Sequence, residues 1–269
     1  RLPASACVLQ YRLGLSEECI CFDINLGCSG YINGLYAIAS IMSNSNINRA
    51  LLLVAETPTK RISPLDRSLS MLFGDCGTAT LLEKDKDAVP MSFQFKTFGE
   101  RFKKIIVPAG GYRNMNASFD RVMWADSNIR SDYDTYMNGQ DVFSFSITEV
   151  PQFIKEFMSA NNTCEADYDC IILHQANQYI LKQIAKKLNA DESKIAISMI
   201  HYGNTSSTSI PLTLAYSNTQ EPKRKLRVLL SGFGVGLSWG SADVAIDTAD
   251  ILPIIHSNDY FKEGAVSHD

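Results

Sequence analysis

The sequence has no surplus of basic residues and no long apolar run. Lys and Arg number 25 against 29 for Asp and Glu, which gives a formal net charge of −4. The chain therefore offers no basic field to a nucleic-acid backbone. Apolar stretches such as Ala50–Ala55 have the length of a strand, well short of the roughly 18 residues that indicate a membrane span. We expect neither nucleic-acid binding nor a membrane-spanning helix.

The sequence also lacks the Cys and His spacings of a local metal site. It contains no C-x-x-C pair and no H-E-x-x-H, and Cys19 and Cys21 form only a C-x-C in an apolar segment; we therefore expect no metal. Seven cysteines are an odd number in a chain of 269 residues, which is large enough to fold without disulfides. This favours reduced thiols, mostly in the core, and a cytoplasmic location.

No linker rich in Pro, Ser or Gly divides the chain, so we expect two α/β halves that share one layered core. Between Lys84 and Tyr136 the hydrophobic periodicity breaks down, which predicts loops and short irregular pieces. The chain begins at Arg1 without Met or a signal pattern, as expected of a segment from a longer protein. The predicted helices are Ala4–Leu13, one that begins near Gly27, Val142–Met158 with an interruption at Pro151, Tyr179–Leu188 and Ser209–Tyr216. The predicted strands are Ile20–Ile24, Ala50–Ala55, Thr78–Glu83, Cys170–Leu173, Leu226–Leu230 and Ser241–Ile246.

Cys28 is a candidate nucleophile. It lies where the predicted strand Ile20–Ile24 turns through Gly27 into an amphipathic helix. A thiol at a helix N-terminus is expected to have a lowered pKa, and Gly27 and Gly30 leave room for a group that approaches the sulfur. A buried, inert cysteine is the alternative.

Three further segments carry candidate site residues. His174 ends an apolar strand, where open α/β sheets place ligands, although a single His is more often structural. Asn204 lies in a turn of small polar residues, and its alternative role is an ordinary helix cap. The segment Gly232–Gly240 lies between two strands, so it is not a dinucleotide fingerprint; it can form an oxyanion hole or simply a tight hairpin.

Taken together, these segments resemble the β-ketoacyl-acyl-carrier-protein synthase III family of condensing enzymes, within the thiolase superfamily. Six motifs occur in the family's order across most of the chain. They are Pro3-Ala4-Ser5-Ala6-Cys7, Asn25-Leu26-Gly27-Cys28-Ser29-Gly30, Gly74-Asp75-Cys76-Gly77, His174-Gln175-Ala176-Asn177, Gly203-Asn204-Thr205-Ser206 and the Gly232–Gly240 turn.

The resemblance implies a role for each site residue. Cys28 would accept the acyl group, and His174 and Asn204 would hold the carbonyl of a second thioester. The backbone amides of Cys28 and Val235 would form the oxyanion hole. Arg67 would contact the nucleotide part of coenzyme A. The other implied substrate-binding residues are Phe233, Gly234, Gly236 and Asn177.

The resemblance also implies the fold, an α/β thiolase-like structure with α-β-α-β-α layers and two halves related by a pseudo-twofold axis. Residues 1–136 would form the first half, 137–248 the second, and 249–269 a C-terminal tail. The family has a further strand and helix region before the position of Pro3. We therefore expect an N-terminally incomplete first half, from a truncated or cleaved chain or with compensating association.

The implied reaction is a decarboxylative condensation of acyl-Cys28 with a malonyl thioester, as in fatty-acid biosynthesis. The implied partners are acyl-coenzyme A, malonyl-acyl-carrier protein and a second copy of the chain, with no cofactor. Tyr179 stands where the family often has a basic residue for the carrier protein.

Other functions remain open from the sequence. One is acyl transfer from Cys28 to an alcohol or amine without condensation, and another is a non-catalytic subunit that binds acyl thioesters. A papain-like protease also uses Cys, His and Asn in this order, with about 130–150 residues between Cys and His. In such proteases an aromatic residue follows the nucleophile, whereas Ser29 follows Cys28 here.

Overall fold

The computed structural model describes residues 2–218 and 223–259. The α-helices are α1 (Ser5–Arg12), α2 (Gly30–Ser43), α3 (Gly139–Ala160), α4 (Gln178–Leu188), α5 (Met199–Tyr202) and α6 (Ser209–Ser217). The strands are β1 (Arg49–Glu56), β2 (Cys76–Glu83), β3 (Ser92–Thr97), β4 (Ile105–Ile106), β5 (Val122–Met123), β6 (Ile129–Arg130), β7 (Tyr136–Met137), β8 (Cys170–Leu173), β9 (Lys225–Gly234) and β10 (Ser238–Asp247).

The largest sheet has four strands in the order β3-β10-β9-β8, with β8 parallel to β9 and the other pairs antiparallel. Alternate side chains of a strand point to opposite faces. Accordingly, Leu229 joins the apolar cluster formed with α3 and α4, whereas Val228 and Leu230 join the cluster formed with α2. Helices on both faces explain why the central strands are continuous apolar runs.

Strands β1 and β2 form a separate antiparallel pair next to α2. Leu52 of β1 is buried against this helix, and a side chain at Gly34 of α2 would come within 2.8 Å of it. The pair has another face as well, where Leu51 and Leu81 oppose each other and are 37% and 63% exposed.

The expected strand Ile20–Ile24 is not a strand in the structure. These residues have no ladder pairing, and Ile20, Phe22 and Ile24 are exposed. A short apolar run forms a strand only when a neighbouring strand supplies hydrogen bonds. In the part of the chain that the structure describes, no strand pairs with this segment.

The segment Lys84–Tyr136 is more regular than expected, because β3 is an edge strand of the main sheet. Farther along, the segment packs around the buried guanidinium group of Arg130. Arg130 has no exposed surface, donates to the carboxylates of Asp66 and Asp126, and lies over the rings of Trp124 and Tyr136.

Helix α3 runs through Pro151 without the expected interruption. The apolar side of the helix, including Val150 and Phe153, is fully buried against the main sheet. A proline in a helix interior costs about 3 kcal/mol, a cost that burial of several large side chains offsets.

The seven cysteines are unpaired, but none is a core residue. Cys7, Cys19 and Cys164 are exposed and the others are half-buried, so the expectation that most lie in the core is wrong. No helix in the described ranges has the length and apolar character needed to cross a bilayer.

Candidate active site

Cys28 lies in the turn that leads into α2, directly against the end of β9. A side-chain carbon at Gly234 would come within 2.5 Å of the Cys28 sulfur, and one at Gly27 within 2.5 Å of Val235. The sequence places glycine at both points of closest approach. This allows the backbone around Val235 to lie beside the sulfur.

The sulfur is surrounded by protein groups, which set its proton affinity. Burial raises the pKa of the Cys28 thiol; hydrogen bonds from the Val235 amide and the Ser206 hydroxyl lower it, and the charge of Glu56 raises it. The net direction is upward. The expectation of a lowered pKa is therefore wrong, because the helix N-terminus does not outweigh the loss of solvation.

His174 follows β8 and is 2% exposed. Its Nδ1 lies 2.8 Å from the Ser209 hydroxyl, which also accepts the Gln175 N–H at 3.3 Å. We assign the tautomer with the hydrogen on Nε2, in which the Ser209 hydroxyl donates to Nδ1 while it accepts the Gln175 N–H. Burial lowers the pKa of His174 to about 4, and the ring is neutral at pH 7.

Asn204 lies between α5 and α6 and is 6% exposed. Its Oδ1 accepts the backbone N–H of Ser206 at 2.9 Å. This bond fixes the orientation of the amide, because the oxygen is engaged locally. The Nδ2 end is left as the donor that Asn204 can offer to a ligand.

Ser206 connects the three candidate side chains, and it was not singled out from the sequence. Ser206 lies beside Cys28 and His174, where its side chain lowers the pKa of the thiol and its backbone raises the pKa of the imidazole, and its N–H donates to Asn204 Oδ1 at 2.9 Å. Ser206 has a φ of 56°, a left-handed conformation that costs a non-glycine residue about 1–2 kcal/mol. Cys28, His174 and Asn204 therefore share Ser206 as a neighbour, and the backbone of Ser206 is strained.

The Asn204 turn is held by the loop that precedes β2. The Gly74 N–H donates to the Asn204 carbonyl at 3.0 Å, and the Asn204 N–H donates to the Leu72 carbonyl at 2.9 Å. Gly74 packs so closely on the Tyr202 carbonyl that a side chain would not fit. The motif that begins at Gly74 thus fixes the position of the asparagine.

The glycine-rich segment is part strand and part turn. Gly232–Gly234 belong to β9, and residues 235–237 form the turn into β10. Gly234 and Gly236 have φ of 155° and 139°, which side-chain-bearing residues rarely adopt. Phe233 is buried, with its ring edge against His174 at 5.5 Å between centroids.

Two buried hydroxyls connect this turn to the start of α2. The hydroxyls of Ser29 and Ser238 lie 2.8 Å apart, and Ser238 donates to the Val235 carbonyl at 2.9 Å. The turn is therefore tied to the residue that follows Cys28.

Two of the residues expected to bind substrate are not in this cluster. Asn177 caps α4, with its Oδ1 accepting the Ile180 N–H at 2.8 Å. Arg67 is an exposed residue of the loop between β1 and β2, and its backbone N–H donates to Asn128 at 3.0 Å. Their roles in binding remain predictions.

Two family models match the chain. The model described as 3-oxoacyl-(acyl-carrier-protein) synthase III matches residues 22–99, and its C-terminal counterpart matches residues 158–246. The first match includes Cys28, and the second includes His174 and Asn204.

Individual relatives have the same description. The β-ketoacyl-(acyl-carrier-protein) synthase III of Streptococcus equi subsp. zooepidemicus is 32% identical over 249 residues, covering 91% of this chain and 74% of the relative. A solved 3-oxoacyl-(acyl-carrier-protein) synthase III is 37% identical with a TM-score of 0.85, covering 90% of this chain and 74% of the other. The 3-oxoacyl-(acyl-carrier protein) synthase from Burkholderia xenovorans is 36% identical with a TM-score of 0.84, covering 94% and 72%.

These structural matches confirm the expected thiolase-like α/β fold. The chain spans about three quarters of the length of these relatives.

Proposed function

Because this chain belongs to the 3-oxoacyl-(acyl-carrier-protein) synthase III family of condensing acyltransferases, we propose that it joins an acyl group held on Cys28 to a malonyl thioester with loss of CO₂. The observation that supports this proposal best is that the Cys28 sulfur, the His174 imidazole and the Asn204 carboxamide all lie beside Ser206. A nucleophile next to two hydrogen-bond donors suits acyl transfer followed by enolate stabilisation.

In the first half-reaction the Cys28 sulfur attacks the carbonyl carbon of an acyl thioester such as acyl-coenzyme A. The tetrahedral oxyanion accepts hydrogen bonds from the amides of Cys28 and Val235. The carbon–sulfur bond of the donor then breaks, and the thiol proton of Cys28 ends on the departing thiol. The raised pKa of Cys28 means that the free enzyme carries a thiol, so deprotonation accompanies attack.

In the second half-reaction the malonyl thioester loses its carboxylate as CO₂ and becomes an enolate. The enolate oxygen accepts hydrogen bonds from Nε2–H of His174 and Nδ2–H of Asn204. A neutral imidazole suits this role, and burial supplies one by lowering the pKa of His174 to about 4. The enolate carbon attacks the acyl carbonyl, the bond to Cys28 breaks, and the sulfur takes up a proton.

The proposed partners follow from this chemistry and from the names of the relatives. They are acyl-coenzyme A as donor and a malonyl-acyl-carrier protein as second substrate, with no cofactor. We also propose a homodimer in the cytoplasm. The exposed leucines of the β1–β2 pair are consistent with a covered face in a dimer, and sedimentation of the purified protein at several concentrations tests this.

The acyl intermediate is tested by incubating the protein with acetyl-coenzyme A and measuring its intact mass. We expect one added acetyl group, which Cys28→Ala abolishes. Cys170→Ala is the matched control, because Cys170 is also half-buried with a pKa raised by burial to about 11. An adduct that persists in Cys28→Ala would overturn the assignment of the nucleophile.

Condensation is tested by adding a malonyl thioester to the acetylated protein and measuring CO₂ release and the β-ketoacyl product. We expect His174→Ala to retain acetylation and lose condensation. Transfer of the acetyl group to an added alcohol or amine, with no product from malonyl thioester, would favour the alternative of acyl transfer without condensation.

A further inference from the structure

Glu56 ends β1 with its carboxylate directed at the turn that carries Asn204 and Ser206. Glu56 Oε1 accepts the backbone N–H of Ser207 at 3.0 Å and also the Ser207 hydroxyl. The Glu56 side chain is 15% exposed. A carboxylate that accepts two hydrogen bonds from one residue holds that residue firmly, because charge-assisted hydrogen bonds are about twice as strong as neutral ones.

Ser207 follows Ser206 directly, so this anchor acts one residue away from the shared contact of the site. On its other side Ser207 packs on the start of α2, where a side chain at Gly30 would come within 3.2 Å of the Ser207 Cβ. The turn is therefore held between Glu56 and the helix that follows Cys28. A shift of Ser207 would move Ser206 and with it the relation of Asn204 to the sulfur.

The charge of Glu56 also reaches the site. It acts to raise the pKa of Cys28 and of His174. Glu56 also faces Arg61, whose Nη2 lies 3.5 Å from Oε2 and whose side chain is 56% exposed, and Cys76, which lies opposite it across the β1–β2 ladder. The pair with Arg61 is long and solvated, so it leaves much of the carboxylate charge unscreened.

We propose that Glu56 is a positioning residue of the condensing site, whose carboxylate anchors the Asn204 turn through Ser207 and, from that position, adds a negative charge that acts on the acyl-accepting sulfur. This inference deepens the proposed function and rests on it. The anchor serves the second half-reaction, in which Asn204 holds the enolate oxygen. The charge adds to burial, which is the larger cause, in opposing a free thiolate at Cys28.

The two effects can be separated by substitution. Glu56→Gln keeps an oxygen that can accept from Ser207 and removes the charge, whereas Glu56→Ala removes both. The matched control is Glu83→Gln, because Glu83 is an exposed acid at the far end of β2, paired with Arg49, and its replacement changes the net charge equally.

The first readout is the pH dependence of Cys28 alkylation by iodoacetamide, measured as carbamidomethyl on the Cys28 peptide. We expect its midpoint to move to lower pH in both Glu56 variants and to stay in place in Glu83→Gln. The second readout is kcat for condensation. We expect Glu56→Gln to stay within about threefold of the parent and Glu56→Ala to lose about tenfold to a hundredfold, as a misplaced catalytic group does.

Identical alkylation profiles in parent and Glu56→Gln would overturn the electrostatic part, and full condensation by Glu56→Ala would overturn the anchor. Circular dichroism and thermal unfolding identify variants that do not fold. If Glu56→Ala is one of them, Glu56→Gln still tests the electrostatic part, and Ser207→Ala, which removes one of the two donors to Glu56, tests the anchor by its loss of condensation. If the parent forms no acyl adduct at Cys28, the proposed function fails. If the parent is acylated and condenses while all Glu56 variants match it, only the inference about Glu56 fails.

Discussion

Gly234→Ala perturbs the site at one atom. The added methyl group would lie 2.5 Å from the sulfur of Cys28 and 2.6 Å from its Cβ, whereas nonbonded carbon atoms pack at about 3.5–4.0 Å. Gly234 also has a φ of 155°, which alanine rarely adopts. The turn and Cys28 must therefore separate by about 1 Å to make room.

This separation should affect chemistry more than folding. Overpacking of this kind costs about 1–3 kcal/mol, which most folded proteins of this size survive. A displacement of about 1 Å costs about a hundredfold in rate, and here it also moves the Val235 amide away from the sulfur. We expect a folded variant whose Cys28 is acetylated about a hundredfold more slowly.

The assay is the rate of adduct formation with acetyl-coenzyme A, followed by intact mass, alongside urea unfolding. Gly232→Ala is the comparator, because its methyl group would crowd the Cys28 carbonyl and the Ser29 Cα at 3.0 Å and not the sulfur. Because the overlap is smaller and the backbone at Gly232 is not strained, this variant should lose less stability, and its loss of rate should be much smaller. Acetylation of Gly234→Ala at the parental rate would refute the placement of the turn against the Cys28 sulfur.

Two further predictions concern stability. Burial lowers the pKa of His174 from 6.5 to about 4, so between these pH values the unfolded chain binds a proton that the folded chain does not. The free energy of unfolding should therefore fall by roughly 3 kcal/mol as the pH falls from 6.5 to 4. Urea unfolding across this range should show this pH dependence, and the same dependence in His174→Gln would contradict its assignment to His174. Arg130→Met should destabilise the protein by about 3–5 kcal/mol, because it leaves the buried carboxylate of Asp66 without its ion-pair partner. The double variant with Asp66→Asn removes the charge and keeps an oxygen that accepts from the Ser68 and Leu69 amides, so it should recover much of the loss in the same assay. Equal loss in both variants would argue against the ion pair as the cause.

Much of the fold could be predicted from local pattern. The strand Cys170–Leu173 and the helix at Ser209 are placed as expected, because apolar runs and amphipathic spacing suffice when both faces of a sheet are covered. The strand expected at Ile20–Ile24 fails, because pairing depends on a neighbour that the pattern of one segment does not contain. The alternating Phe93 and Phe95 are typical of a strand and could have predicted β3, but the charged residues on either side break the periodicity of the longer segment.

The candidate site divides in the same way. Residue types and order pointed to Cys28, His174 and Asn204, but the hydrogen bonds of Ser206 depend on a backbone conformation that the turn composition does not reveal. The direction of the Cys28 pKa shift also required the structure. A helix N-terminus can be seen in sequence, whereas the burial of the sulfur and the charge of Glu56 come from segments distant in the chain.

The hydrogen bond between the hydroxyls of Ser29 and Ser238 has a defined donor and acceptor. Ser238 has one proton and gives it to the Val235 carbonyl, so the hydrogen between the two oxygens must come from Ser29. The two hydrogen bonds in series hold the Val235 carbonyl toward Ser238. The N-cap residue of α2, which directly follows Cys28, is therefore hydrogen-bonded to the loop on the opposite side of the sulfur, and we expect a shift of either one to move the other.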